Sequence, residues 1–486
     1  MIPIYLVDAL SDCQQALQTQ EENQDNWGLV CEKLGSILQG MGWFEEAAIW
    51  HSRKIETELD RVNIYNDLGK IYLQLEMWQQ AMDIYKQILE LAPDYAEAHL
   101  YLAQIYENLE IKHQANECWY QTLLLQPELL NSFNPYNLGK SYFEQGELEK
   151  AINCYRVAVK KNPQHFGSYS DMAEIFRQQK QWDKAIECYH NIIKINPQKL
   201  DAFVKLGGIY LKLKELDNAV LAFRGAIKLQ PNNIRHYLNL NKALMLAKKW
   251  DQVINLCQRA IQIFPDNTWF YLHLANALVK KGETERAVTN FQKACALRGW
   301  DDCASKGYEF TEDNFTHNII LWTRHLKGLA KQKDLQCLEV NCSEGMVSCW
   351  LLDNILTHHS AKLTCLDTKF TVEFSQNIRR SNSAKKVTKI TGKIDKKLAD
   401  LDQNTYNLII VKYAKKKAIE AKTMTELVWS LLCVEGIMIL QEYEVGNNKS
   451  LAEQPKRGIT KFLRTVKGKY NILNNRGQMI IRKTAE

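Results

Sequence analysis

Six of the nine prolines in the chain fall at Pro93, Pro127, Pro163, Pro197, Pro231 and Pro265, separated by 34, 36, 34, 34 and 34 residues. Spacing this regular means that one supersecondary unit recurs, because nothing else in a globular chain places a rare residue on a fixed period. Twelve residues before each proline stands a small side chain, at Ala81, Ala115, Ala151, Ala185 and Ala219, with Val253 as the bulky exception. Twelve residues further back is a second small site, at Gly69, Ala103, Gly139, Ala173 and Gly207, where Asn241 departs. Aromatics keep the same phase: Tyr72, Tyr106, Tyr142, Phe176 and Tyr210, then Tyr85, Trp119, Tyr155, Tyr189 and Phe223. Two antiparallel helices approach closely only where small side chains meet, and the aromatics fill the gap beside them. The proline ends the second helix, since it lacks an N–H and its ring breaks the hydrogen-bond ladder.

This pattern resembles the tetratricopeptide repeat family. Eight units fit, over residues 28–300, with the outermost marked by Leu34-Gly35 and Ala47 and by Leu274-Ala275 and Ala287. Residues 1–27 are expected to form a capping helix, and two extra residues within Glu128–Asn134 account for the 36-residue step. The resemblance implies an all-α superhelix whose concave wall docks a peptide or another protein. Asn137, Lys140, Arg177, Asn239 and Lys242 are the candidate peptide-binding positions, because a carboxylate ligand needs several donors converging on it.

After residue 300 the period stops. Residues 301–312 read as a polar junction, and residues 313–486 carry a different rhythm. An amphipathic helix over 314–330 is followed by short apolar runs at Gln336–Val340, Lys362–Asp367, Lys385–Ile390, Tyr406–Val411 and Gly436–Leu440, separated by helical patterns. Alternation of this kind predicts a doubly wound, mostly parallel sheet of the Rossmann-like type. Lys469–Leu473 and Gly477–Lys483 flank Asn474-Asn475-Arg476-Gly477 and predict an antiparallel hairpin.

Leu338-Glu339-Val340-Asn341-Cys342-Ser343-Glu344-Gly345, with Trp350-Leu351-Leu352-Asp353 after it, resembles the first motif of class I S-adenosylmethionine-dependent methyltransferases. Leu363-Thr364-Cys365-Leu366-Asp367 and Lys389-Ile390-Thr391-Gly392-Lys393 extend the likeness along nearly all of residues 313–486. The resemblance implies S-adenosylmethionine as cofactor. Glu339 and Gly345 would lie near its methionine part, Asn341 would stand where the family has its first glycine, Asp367 would hold the ribose, and Gly392 would lie beside the adenine. At the fourth strand Lys412 and Lys415 stand where the family has an acid and a histidine, and Gln441 replaces one of two paired acids at the fifth. Lysine ammonium is no metal ligand, so no metal-assisted step is expected. The candidate catalytic groups are then Glu442, Lys412 and Tyr443. Two readings follow from these substitutions. One is a methyltransferase acting on a small-molecule or saccharide acceptor; the other is an interaction adaptor that keeps the fold without the chemistry.

Charge and cysteine content bound the remaining classes. The net charge of +6 divides into −3 over residues 1–300 and +9 over 301–486, a balance that dispersed surface lysines explain without nucleic acid. Thirteen scattered cysteines with no Cys-x-x-Cys pair fit free thiols in a reducing, cytoplasmic compartment, and their spacing predicts no metal site. No run of eighteen apolar residues is present, so no membrane span is expected.

Overall fold

The computed structural model describes residues 25–42, 58–130, 133–313, 315–413, 417–442 and 454–486. The chain forms two compact units, Met1–Ile209 and Tyr210–Glu486. Residues 1–24 of the expected capping helix lie outside the described residues, as do Ala47, Lys415 and Tyr443, and residues 25–27 belong to the helix that continues to Gly40.

Among the described residues, helix Asp25–Gly40 precedes seven consecutive pairs, which begin with Glu58–Gln74 and Trp78–Leu91 and end with Thr268–Lys281 and Thr284–Ala296. Each phased proline follows a helix end by two residues, as at Leu91, Lys161 and Ile263. The intervening residue is pushed out of the helical region by the proline ring: Ala92 has φ −138° and Asn162 φ −131°. Between the helices of each pair one residue turns left-handed, at Glu76, Glu110, Gly146, Lys180, Lys214, Lys248 and Gly282. That kink lets the next N–H reach back over the turn, as Met77 does to the Tyr72 carbonyl at 2.9 Å. The small sites exist for the aromatics. A Cβ on Gly69 would stand 2.6 Å from the Tyr85 ring, and one on Gly139 would stand 2.7 Å from Tyr155. The 36-residue step carries a 3₁₀ turn at Pro127–Leu130.

Among the described residues of the second unit, seven strands form one sheet in the order β3-β2-β1-β4-β5-β7-β6. They are β1 Gln336–Val340, β2 Lys362–Asp367, β3 Val387–Thr391, β4 Tyr406–Lys412, β5 Leu432–Gln441, β6 Tyr470–Asn474 and β7 Met479–Lys483. The first five are mutually parallel, and β7 lies antiparallel between β5 and β6. Strand residues alternate between two cores. Cys337, Leu363, Cys365, Leu408 and Ile410 pack with Trp322 and Trp350, while Leu338, Val340, Ile409 and Val411 pack with Val428 and Phe462 on the other face. Burial on both faces is what makes these strands continuous apolar runs.

Several expected boundaries move. Residues 384–386 form a 3₁₀ turn, so β3 starts at Val387. The helix expected over 314–330 is an α-helix only at Ile319–Leu326, between two 3₁₀ turns. β5 begins at Leu432, ahead of a left-handed Glu435 where its register against β4 shifts.

The segment expected as a polar junction is tightly packed. Trp300, Cys303, Tyr308 and Phe310 are fully buried in the core that also holds Cys295 of the last repeat helix and Trp350. The Asp353 side chain, 1% exposed, accepts hydrogen bonds from Trp300 Nε1 at 2.9 Å, Lys306 Nζ at 2.6 Å and Tyr308 OH at 3.1 Å. Asn377 pairs with both main-chain groups of Glu309, and Glu344 accepts from the Thr311 N–H.

Candidate functional site at the strand ends

The strand order reverses between β1 and β4, and in parallel sheets ligands bind in the crevice outside the carboxyl ends at such a point. Glu339, Asn341, Asp367, Lys412 and Glu442 all lie at those ends, as the sequence predicts. The fold engages them with one another. Asn341 is left-handed, with φ 67°, and its N–H continues the ladder to the Leu366 carbonyl at 2.9 Å. Its side-chain amide crosses to β4 and donates to the Lys412 carbonyl at 2.7 Å. Lys412 lies back over the same gap, its side chain 14% exposed, with Nζ 3.5 Å from Glu442 Oε1 and 3.4 Å from Ser343 Oγ.

Asp367, the expected ribose acid, accepts the Cys342 N–H on Oδ2 at 2.8 Å, while Oδ1 lies 3.3 Å from the Thr368 hydroxyl. Its carboxylate therefore holds the turn after β1. Gly345 is left-handed with φ 81°, and a Cβ there would stand 2.9 Å from the Phe374 ring, so the surviving glycine makes room for an aromatic. Gly392, with φ 147°, donates its N–H to the Asp367 carbonyl at 3.2 Å. Lys389 lies over the rings of Phe374 and Phe370, at 5.0 and 5.7 Å.

Glu339 is buried beneath this turn and accepts from Ser348 Oγ at 2.5 Å. Loss of water pushes its pKa up to about 8, and the Asp367 charge adds to the rise, while the Ser348 hydrogen bond and Lys412 oppose it. Burial likewise holds the Cys342 thiol well above its usual range. Among the described residues, the ligand atoms of Glu339, Cys342 and Cys365 all lie within 4.8 Å of one another. Sequence spacing gave no sign of this cluster, because Cys342 and Cys365 meet only through the β1–β2 pairing.

The remaining site residues are spread over the chain. Asn137 and Lys140 are exposed on helix Pro135–Gln145, and Lys242 is exposed on helix Ile234–Leu246, which also carries the half-buried Asn239. Arg177 is held by Glu174, one turn earlier on its own helix, with Nε–Oε2 at 3.0 Å. A groove of about 450 Å³ in the first unit is lined by Lys70, Leu73, Gln74, Trp78, Tyr101, Gln104 and Asn108. Asn241, the departure from the small-residue pattern, is fully buried. Its amide contacts His273 Nδ1 at 2.7 Å and its oxygen accepts from the Cys257 thiol, so a polar contact replaces close packing there.

Residues 139–176 and 173–214 match the family model described as TPR repeat, and residues 62–105, 200–233 and 244–293 match tetratricopeptide repeat models. These segments are tetratricopeptide repeats. A 35-residue stretch is 54% identical to Protein O-mannosyl-transferase TMTC2 of Mus musculus, and covers 7% of this chain and 4% of that protein. Among solved structures, a MamA protein is similar over 34% of this chain and 90% of its own, at 21% identity and a TM-score of 0.29. YrrB, described as a TPR protein with an unusual peptide-binding site, is similar over 38% and 96%, at 16% identity and a TM-score of 0.30. Among the described residues no helix is long and apolar enough to cross a membrane.

Proposed function

We propose that the chain is a protein-docking scaffold whose sheet domain is methyltransferase-like in architecture but does not carry out methyl transfer. Tetratricopeptide repeats supply the docking half. The groove around Lys70, Trp78 and Tyr101 offers aromatic faces, amides and a cation to a bound peptide. The sheet supports Rossmann-like ancestry through its parallel strand order and through the acids Glu339 and Asp367 at the ends of β1 and β2.

One observation carries the non-catalytic half of this reading: the Asn341 side chain spans from β1 to the Lys412 carbonyl across the strand-order reversal. S-adenosylmethionine does not fit these residues. A sulfonium ligand here needs backbone approach at Asn341 and an ionised acid at Glu339. The first position is filled by a side chain, and the second is buried with its pKa raised. We therefore assign Lys412 and Glu442 to closing the crevice rather than to proton transfer.

Calorimetric titration of the intact chain with S-adenosylmethionine and with its demethylated product tests the reading. The expected result is no saturable heat up to millimolar ligand. Saturable binding that disappears in Asp367→Ala would overturn it in favour of an enzyme. For docking, Lys70→Glu together with Trp78→Ala is expected to lower partner recovery from pull-downs, and unchanged recovery would remove the groove from the proposal.

A further inference from the structure

We propose that Glu339, Cys342 and Cys365 form a buried binding site for a thiophilic divalent cation of the zinc class. Glu339 and Cys365 are register partners on β1 and β2, so their side chains leave the sheet on one face, side by side. The left-handed residues Asn341 and Ser343 fold the following turn back on itself, and Cys342, 3% exposed, packs in the core on that same face. Three ligand atoms of zinc-compatible type thus converge within 4.8 Å. Zinc–sulfur bonds of about 2.3 Å and zinc–oxygen bonds of about 2.0 Å in a tetrahedron separate ligand atoms by roughly 3.3–3.8 Å. Side-chain shifts of about an ångström bring the three atoms to bonding distance and leave the fourth tetrahedral position to an exogenous ligand such as water.

The surroundings favour a cation over plain packing. A buried carboxyl costs desolvation energy that an apolar residue of similar size avoids, and here thiols surround it instead of a paired cation. Ser348 Oγ, bonded to Glu339 and 3.6 Å from Cys365 Sγ, holds the carboxylate oriented from helix Met346–Asn354. Soft sulfur ligands exclude magnesium and calcium, which take oxygen. Both cysteines would bind as thiolates and Glu339 as a carboxylate, each releasing its proton to solvent. The site would pin the turn after β1 to β2, a structural role consistent with a crevice no longer used for a cofactor.

The test uses the reduced full-length chain and Co²⁺ as a spectroscopic stand-in, with Zn²⁺ as competitor. The expected result is one equivalent bound, with a thiolate-to-cobalt charge-transfer band that Zn²⁺ abolishes. That band is expected to vanish in Cys365→Ala and Cys342→Ala and to persist in Cys188→Ala, a cysteine in the repeats. Ser348→Ala is expected to keep the band and weaken binding about tenfold. If Cys365→Ala does not fold, Cys342→Ser carries the comparison, since its side chain belongs to the turn rather than to a strand. Absence of a charge-transfer band in the wild-type chain, or a band unchanged in folded Cys342 variants, would overturn the proposal.

Discussion

The side-chain amide of Asn341, in the turn after β1, donates to the main-chain oxygen of Lys412 at the end of β4, 2.7 Å away. Two requirements meet at this residue, a left-handed backbone and a donor long enough to reach the neighbouring strand. Asn341→Ala fails both, at about 1 kcal/mol for the hydrogen bond and about 1 kcal/mol for the backbone. Asn341→Gly fails only the first. Chemical denaturation is expected to rank wild type above Asn341→Gly and Asn341→Gly above Asn341→Ala.

The carboxyl of Glu339 is expected to show itself through pH. Its pKa rises from 4.5 unfolded to about 8 folded. Between those values the folded state holds a proton that the unfolded state releases, so this group's contribution to stability is fully present below pH 4.5 and is lost as pH rises through about 8. The loss is on the order of 5 kcal/mol for a shift of this size. Glu339→Gln removes the dependence. With chelator present, the stability difference between wild type and variant is expected to move in the variant's favour from pH 5 to pH 8, and parallel curves would contradict the assignment.

Asp353 anchors the segment that joins the last repeat to the sheet. Asp353→Ala leaves the Trp300 and Tyr308 donors without an acceptor and Lys306 with Asp302, 3.6 Å away, as its remaining ion-pair partner, at a cost of about 3 kcal/mol. Asp353→Asn keeps oxygen acceptor capacity and is expected to cost roughly half of that. Trp300→Phe removes the indole donor and also leaves a void in the core, at about 2 kcal/mol together. Equilibrium unfolding of the intact chain, followed by tryptophan fluorescence, reports all three.

Gly345 and Phe374 are expected to be coupled. Gly345→Ala places a methyl group 2.9 Å from the Phe374 ring at a left-handed position, costing about 2–3 kcal/mol. Phe374→Leu vacates that space. A double-mutant cycle should return a favourable coupling of about 1 kcal/mol, whereas strict additivity would mean that the ring is not what the glycine accommodates.

Gly458 provides a sharper steric test. A Cβ there would stand 1.8 Å from the main-chain oxygen of Ala418, at the contact between helices Pro455–Thr465 and Ala418–Leu431. Backbone cannot rotate away as a side chain can. Gly458→Ala is expected to cost about 3 kcal/mol by separating the two helices, measured as a lowered denaturation midpoint.

The repeats were legible because their signals are local: a proline, a small residue and an aromatic keep one phase when each unit packs on its neighbours. Strands β1 and β2 were legible to the residue, since burial on both faces writes them as unbroken apolar runs. Other features depend on contacts made far along the chain. Lys385 and Lys386 look like strand residues but sit in a 3₁₀ turn ahead of β3. Asp353 stood in a recognised motif, yet its three partners lie 45 to 53 positions earlier. At the candidate site Glu339, Asn341, Asp367, Lys412 and Glu442 lie at the ends of their strands. Their mutual hydrogen bonds, and the meeting of Cys342 with Cys365, appear only once β1 and β2 are set in register.

Because Trp300, Tyr308 and Phe310 share one interior with Trp350 and with Cys295 of the final repeat helix, the two architectures are not beads on a string. Cutting the gene at residue 305 or 313 to obtain an isolated sheet domain would uncover aromatic surface and discard the lid over Asp353. A load on the closing repeat helix would fall on the same aromatic interior that seats Trp350.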